Sequence, residues 1–473
     1  MAMFFEPSEN KIRPGVYNRY VNPGGAVLAG AQNGIIAAVV QSNWGELGKV
    51  VVIDSVSQIA EVFGSGGTTE MLEEAFNGGA TTIYAIRLGT AGTKGVGKLK
   101  DTTSGTPIDA VTISLKCEGN RPLEYTLRNS LGDASTKEFL ITENSVILEK
   151  ILFAASDDAE VDAFIEAAAT AKYFSAVKVT GYSGTGKFQD NAKTAFTSGA
   201  NPTVNNESYS KAFSALERYP WNVLIVDTDD IAVHTLAATY MNRMYQLGKM
   251  GFFVVGEPST VSFEERLAHS RAFNDKNVIY LGVGWVNADG KKYDGFLAAA
   301  RIGGMVAAIP SNQSLTHNTI AGAVSPIDVL TNSQLESAIQ SGMLALSISA
   351  AGAVQIDAAI TTLHSPTGED DAGWKKIRRC KTRKELFTRV SDTLEPMIGT
   401  VNNDADGKAF VQQTIIALLN AMIGEKKIKD GASVEIEENS GADADAAYFR
   451  IKADDFDSLE KIYLTYEFRF NAA

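Results

Sequence analysis

The chain has 473 residues, 45% hydrophobic and 21% charged, a globular composition in a chain too long for a single core, so several domains are expected. A net charge of -13 argues against a nucleic-acid binder, because the mean field of the chain would repel a duplex. Cys117 and Cys380 lie far apart and form no metal-ligand pair, which points to folding in a reducing cytoplasm. The opening MAMFFEPSENKIRPG lacks the uninterrupted apolar run of a secretion signal. The richest apolar stretch, 296–309, is broken by Arg301 and two glycines, short of the roughly 20 residues a membrane helix needs. A soluble protein is expected.

Residues 1–13 carry no pattern and read as an arm. Pro14 and Gly15 admit a short strand at 16–21 that includes Val16, Tyr17 and Tyr20 and ends at the turn signal Asn22-Pro23-Gly24-Gly25. The runs 34–41 and 49–53 read as strands, the first too short and too uniformly apolar for an amphipathic helix. Ser55 and Thr69 are placed to cap two short helices, the second with Glu70, Glu73 and Glu74 in its first turns. Gly78 and Gly79 end it, and 81–88 returns as a strand. Composition then shifts to a Gly-, Thr- and Lys-rich loop, TAGTKGVGKLKDTTSGT. Strands follow at 110–118, 123–129, 139–142 and 146–151, then a helix at 158–171 and a strand at 176–180. A second Gly- and Ser-rich loop covers 181–202, and paired loops of this kind bracket an inserted domain.

From Trp221 the pattern becomes β-α-β-α-β: strand 222–226, helix 231–247, strand 252–256, helix 262–274, strand 277–284. Helical spacers of that length imply a parallel sheet with right-handed crossovers. A hairpin around 287–291, an Ala- and Gly-rich helix at 296–308, a capped helix at 331–341 and a hairpin at 344–356 come next. Helices at 378–398 and 408–423 and strands at 433–438 and 446–452 lead to the cleanest period-2 signal in the chain. In 459–470, Ile462, Leu464, Tyr466, Phe468 and Phe470 fall on one face, and Tyr463, Thr465, Glu467 and Arg469 on the other. Such a strand must be paired, either in the protein's own sheet or by addition to another subunit.

Signals for chemistry are weak. Gly181 to Phe188 fits GxxxxGK, yet Phe188 stands where a hydroxyl must coordinate magnesium. Asp227, Asp229 and Asp230 follow strand 222–226, where open parallel sheets bind ligands, although Asp229 or Asp230 also suits a helix cap. His234, His269, His317 and His364 have no metal-ligand spacing. No cofactor or metal is expected. The strongest charge feature is 374–389, in which Lys375, Lys376, Arg378, Arg379, Lys381, Arg383, Lys384 and Arg389 face one anion, Glu385. It reads as a solvated face or as a basic patch docked on an acidic protein partner.

The segments RPGVYNRYVN at 13–22, GIIAAVVQSNWGELGKVVVI at 34–53, VFGSGG at 62–67 and NGGATTIYAIRLG at 77–89 resemble contractile tail sheath proteins of myophages, defective-prophage particles and R-type bacteriocins. Further segments resemble the Gram-positive branch of that family: AARIGGMVAAIPSNQSLTHNTIAGAV at 299–324, VQIDAAITTLHS at 354–365, KKIRRCKTRKELFTRVSDTL at 375–394 and IGTVNNDADGKAFVQQTIIALLNAM at 398–422. One departure is Thr361-Thr362, where the family pattern has Asn-Thr. The resemblance does not extend by motif over 96–200.

It implies a fold that is α/β, with α+β character overall: a β-α-β-α-β parallel-sheet core, an inserted mostly β domain, and extended amino- and carboxy-terminal strand arms. The implied divisions are an arm at 1–21, core at 22–93, an inserted outer domain at 94–202, the α/β core at 203–320, a tube-proximal domain at 321–456 and an arm strand at 457–473. The implied role is a non-enzymatic subunit that assembles in the host bacterial cytoplasm as stacked hexameric rings around an inner tail tube. The arms would add strands to neighbouring subunits, and contraction would drive the tube through the target envelope. Partners would be further copies of the chain, the tube, and baseplate and terminator proteins, with no direct nucleic-acid contact and no membrane insertion. Lys375, Lys376, Arg378, Arg379, Lys381, Arg383 and Lys384 would then be candidates to face the tube. The competing readings are an α/β enzyme or ligand-binding protein using the edge near Asp227, and another self-assembling shell protein.

Overall fold

A computed structural model describes residues 3–4, 17–18, 33–102, 106–133, 135–155, 158–368, 370–438 and 445–468. The chain divides into two compact units, 32–384 with 457–473, and 1–31 with 385–456.

The larger unit is built on a seven-stranded sheet in the spatial order Met343–Leu344, Val278–Leu281, Phe252–Gly256, Val223–Ile225, Ile35–Val40, Thr82–Arg87, Val50–Ile53. All neighbours run parallel except Val50–Ile53, which lies antiparallel at one edge. The central strands are apolar without alternation and wholly buried, as expected for a parallel sheet covered on both faces. The β-α-β-α-β reading thus holds for three strands, and the amino-terminal strands and Met343–Leu344 extend the same sheet. The remainder of the expected 344–356 hairpin forms separately as Leu346–Ile348 against Val354–Ile356.

Helix Gly295–Ala308 crosses the central strands beside Glu70–Asn77. Its glycines explain the close approach. A Cβ on Gly303 would lie 2.7 Å from Cγ2 of Ile225, and one on Gly304 would lie 2.1 Å from the Ala75 carbonyl oxygen. Between the same helices Arg301 Nε donates to Glu74 Oε2 at 2.8 Å, and within the second helix Asn77 donates to Glu74 Oε1 at 2.9 Å. Both charges are buried, so removing either partner would leave the other uncompensated.

The chain order reverses between Ile35–Val40 and Val223–Ile225, which is where an open α/β sheet offers a ligand crevice. Here the protein fills it. Asp227 Oδ2 accepts from the Gln41 amide and from Thr68 Oγ1, both at 2.8 Å, and Asp227 Oδ1 accepts from the Tyr209 hydroxyl at 2.8 Å. Burial pushes the Asp227 carboxyl up despite these donors. Asp230 caps helix Ile231–Gln246 by accepting from Ala232 N, and Asp229 accepts from Phe296 N at 2.7 Å. All three carboxylates therefore hold the edge of the sheet together. Burial raises the Asp229 pKa to about 6, against the pull of the Phe296 amide, with Asp294 and Glu257 adding repulsion.

The region 94–202 carries two antiparallel sheets, Phe174–Lys178/Asp109–Glu118/Lys94–Lys100 and Val146–Ala154/Thr136–Glu143/Glu124–Asn129/Asn191–Ala195, with helix Glu160–Ala168. A phenylalanine cluster of Phe139, Phe153, Phe164, Phe174 and Phe188 fills its core. The chain enters and leaves side by side, through antiparallel bridges Thr90↔Thr203, Thr93↔Ala200 and Val96↔Thr197. Lys94–Lys100 is a strand, not the loop expected from its composition. Its inward positions are Gly95, Gly97 and Leu99, and the first two are glycine because Leu115 and the Tyr125 ring already occupy that space.

Two further corrections apply. Ser55 and Thr69 sit at helix starts without side-chain cap bonds, and the Ser55 hydroxyl instead meets that of Ser57. Helix Asn206–Leu216, with a capping box from Asn205 and Ser208, was not anticipated. Thr361 and Thr362 are fully buried, their hydroxyls donating to the Trp374 and Asp275 carbonyls.

The smaller unit packs the later turns of helix Ile377–Leu394 and helix Ala405–Gly424 against the hairpin Ser433–Glu437/Tyr448–Lys452 around Leu386, Ile415, Leu419, Met422, Ile428 and Val434.

Gly304→Ala is expected to cost about 1–3 kcal/mol, the usual penalty for forcing atoms into a filled interior, read as a lower urea midpoint with unchanged slope. Because the folded pKa of Asp229 lies above its unfolded value, its ionisation costs stability as pH rises between about 4 and 6. Asp229→Asn keeps the acceptor for Phe296 N and should remove that loss, making the variant more stable than the parent at neutral pH by up to about 2 kcal/mol after allowance for solvent screening. The gain should vanish at about pH 4, and urea melts at both values check it.

Candidate assembly surfaces

Residues 457–468 contain no helix, turn, bend or strand pairing. The strand expected there does not form as one, since no other described segment of the chain supplies a partner. Its alternation is nevertheless in place: the Tyr466 and Phe468 rings stack with centroids 6.5 Å apart and planes 20° apart, the spacing of alternate side chains on an extended chain. Ile462, Leu464, Tyr466 and Phe468 are 68 to 93% exposed. Phe470 lies outside the described residues.

At the other end, Tyr17–Asn18 pairs in parallel with Met3–Phe4. Val16 and Tyr20 lie outside the described residues. The hairpin Ser433–Glu437/Tyr448–Lys452 pairs Val434 with Ile451 and Ile436 with Phe449. Among the described residues it is a sheet of two strands, so each strand has an outer edge with no strand beside it, although Gln412 Nε2 donates to the Val434 carbonyl at 2.8 Å.

The base of the carboxy-terminal tail is fixed to the larger unit. Lys376 Nζ lies 2.9 Å from Asp457 Oδ2 and 3.0 Å from Glu460 Oε2. Glu460 Oε1 also accepts from Ser314 Oγ at 3.3 Å and Thr316 Oγ1 at 3.1 Å, and Arg378 Nη1 donates to Ser458 Oγ at 2.8 Å. Burial lowers the Lys376 pKa, and the two carboxylates together outweigh it, so the net shift is upward.

The rest of the basic run is engaged inside the chain as well. Lys375 Nζ donates to the His364 carbonyl at 2.5 Å. Lys381 Nζ donates to the carbonyls of Val306, Ala307 and Ile309, placing a cation on the negative end of helix Gly295–Ala308. Arg383 makes two 3.0 Å bonds to Asp371 and stacks 4.9 Å from the Trp374 ring centre. The guanidinium groups of Arg383 and Arg379 pack over Gly373, 2.5 and 2.6 Å from where a Cβ would stand. Lys384 donates to the Gly251 carbonyl at 2.5 Å and sits 3.7 Å from the Phe252 ring centre, and burial lowers its pKa to about 8. In the smaller unit Arg389 and Lys427 share Glu385 and Glu425.

None of the seven candidate tube-facing cations is exposed, and Lys381 and Lys384 are buried. This corrects the solvated-face reading. Ile377, Cys380, Lys381 and Lys384 follow the i, i+3, i+4, i+7 spacing of one helix face, so the two buried neighbours Ile377 and Cys380 already marked those lysines as inward.

The GxxxxGK segment is closed to phosphate by the protein's own groups. Thr185 N donates to Asp101 Oδ2, Gly186 N to the Tyr182 hydroxyl and Phe188 N to Glu160 Oε2. His234 is buried with Nε2 at 2.8 Å from the Thr228 carbonyl, and His269 pairs with Glu257. Among the described residues no three His, Cys, Asp or Glu side chains gather as a metal site, and no helix is long and apolar enough to cross a membrane.

Residues 203–362 match the phage tail sheath protein central domain, and residues 369–469 match the phage tail sheath C-terminal domain. The fold is similar to the sheath tail protein of Desulfitobacterium hafniense, with 22% identity, a TM-score of 0.74 and coverage of 95% of this chain and 99% of that one. It is also similar to the sheath tail protein Lin1278 of Listeria innocua, with 17% identity, a TM-score of 0.68 and coverage of 90% and 96%. The helical sheath of the anti-feeding prophage in its contracted state aligns at 12% identity and a TM-score of 0.55, over 97% of this chain and 99% of that one. With its ligand crevice filled from within, its sheath-like architecture and two sheath domains in sequence, the chain belongs to the phage tail sheath protein family and is a structural, non-enzymatic component of phage tail-like sheath assemblies.

Proposed function

We propose that the chain polymerises as stacked hexameric rings around an inner tail tube, linked by its terminal arms, and contracts to drive the tube through the target cell envelope. The observation that carries this reading is the tail, whose apolar row Ile462, Leu464, Tyr466 and Phe468 is exposed and which pairs with no strand among the described residues. Strand addition supplies main-chain hydrogen bonds for affinity and alternate side chains for register. The outer edges of Ser433–Glu437 and Tyr448–Lys452 are the proposed receiving sites on neighbouring copies, where an added strand would also relieve a sheet too small to be stable alone.

Contacts made this way bury backbone and apolar side chains together and persist. Side-chain contacts between subunit bodies are exchanged when the extended, trapped state converts to the better-packed contracted one. Baseplate and terminator proteins would close the two ends of the polymer, and assembly would take place in the bacterial cytoplasm. Attachment to the tube is assigned to none of the seven cations, because they are engaged within the chain.

Deleting residues 461–473 tests the arm. Residues 461–468 are all exposed, so the truncated chain should keep the melting transition of the parent while forming no tubes by negative-stain microscopy. Tubes of ordinary length from the truncated chain would show that the arm does not link subunits.

A further inference from the structure

We propose that the pocket holding Glu460 sets the rotational register of the carboxy-terminal arm, fixing which face its apolar row turns toward the neighbouring subunit. The proposal rests on the arm reading above and adds to it a specific cause of orientation.

Glu460 is gripped from two directions, by Lys376 on one carboxylate oxygen and by the Ser314 and Thr316 hydroxyls on the other. Two residues earlier, Ser458 is held by Arg378. Ser458 and Glu460 are half-buried, whereas Leu459 between them is 81% exposed. The period-2 alternation of the arm therefore begins here, on side chains locked to the body of the subunit. Every residue after Glu460 that the structure describes is exposed.

Parity does the rest. Ile462, Leu464, Tyr466 and Phe468 are all even-numbered, like Ser458 and Glu460, so on an extended chain they share the side that the body holds. Once Glu460 is seated, the facing of the next four apolar side chains follows. Without a fixed root, a strand with two usable edges can pair in either facing, and a slip of one residue sends the whole apolar row to the wrong side. A carboxylate with several simultaneous donors is a directional lock, unlike an apolar contact, which tolerates rotation.

The test uses insertions in the full chain. One alanine inserted after Lys461 reverses the parity of the apolar row relative to Glu460, and two alanines restore it while lengthening the arm. Monomer melting should be unchanged in both. The single insertion should raise the concentration needed for polymerisation by about tenfold or more, and the double insertion by less than about threefold. Glu460→Ala frees the root, so adding it to the single insertion should recover most of the lost polymerisation. Equal effects of one and two alanines, or no recovery with Glu460→Ala, would overturn the register role while leaving the arm reading intact. Polymerisation of the chain truncated after Glu460 would remove the arm reading itself, and the register role with it.

Discussion

A peptide chain in the extended conformation has hydrogen-bonding groups along both edges and gains stability only when another strand accepts them. Among the described residues the tail of this protein pairs with no strand, and much of the molecule can be understood from there. The larger unit needs no help, since its sheet is covered on both faces and its crevice is sealed by Asp227. The small hairpin of the other unit has the opposite problem, two strands with no third beside them among the described residues. In the proposed assembly the tail of one copy would supply the strand that the hairpin of another copy can receive.

The basic run illustrates how a charge count can mislead. Eight cations in sixteen residues suggest an outward field, yet their work is local. Lys381 neutralises the carbonyl end of the helix that crosses the sheet, Lys384 packs over Phe252, Arg383 and Asp371 clasp a short loop, and Lys376 and Arg378 hold the root of the tail. In a chain of net negative charge these cations act as internal fasteners.

The sequence revealed the elements whose side chains announce their surroundings. Unbroken aliphatic runs identified the buried parallel strands, because that pattern follows directly from burial on both faces. Lys94–Lys100 stayed hidden because two of its three inward positions are glycines, making room for Leu115 and Tyr125 from later strands. Helix Asn206–Leu216 was legible and overlooked: Tyr209, Ala212, Phe213 and Leu216 follow helical spacing behind an asparagine cap. The lock on Glu460 was not legible, since Ser314, Thr316 and Lys376 come from separate segments that only the fold brings together. Nor could composition distinguish carboxylates that bind a ligand from carboxylates that replace one, as Asp227 does.

The paired stem formed by Thr90 with Thr203 and Thr93 with Ala200 has a consequence for how such particles diversify. A module whose two ends leave the body next to each other, and which carries a phenylalanine core of its own, can be exchanged as a cassette without rethreading the sheet beneath. The same stem is a natural graft point for displaying foreign domains along a polymer, provided their termini lie about one strand spacing, roughly 5 Å, apart.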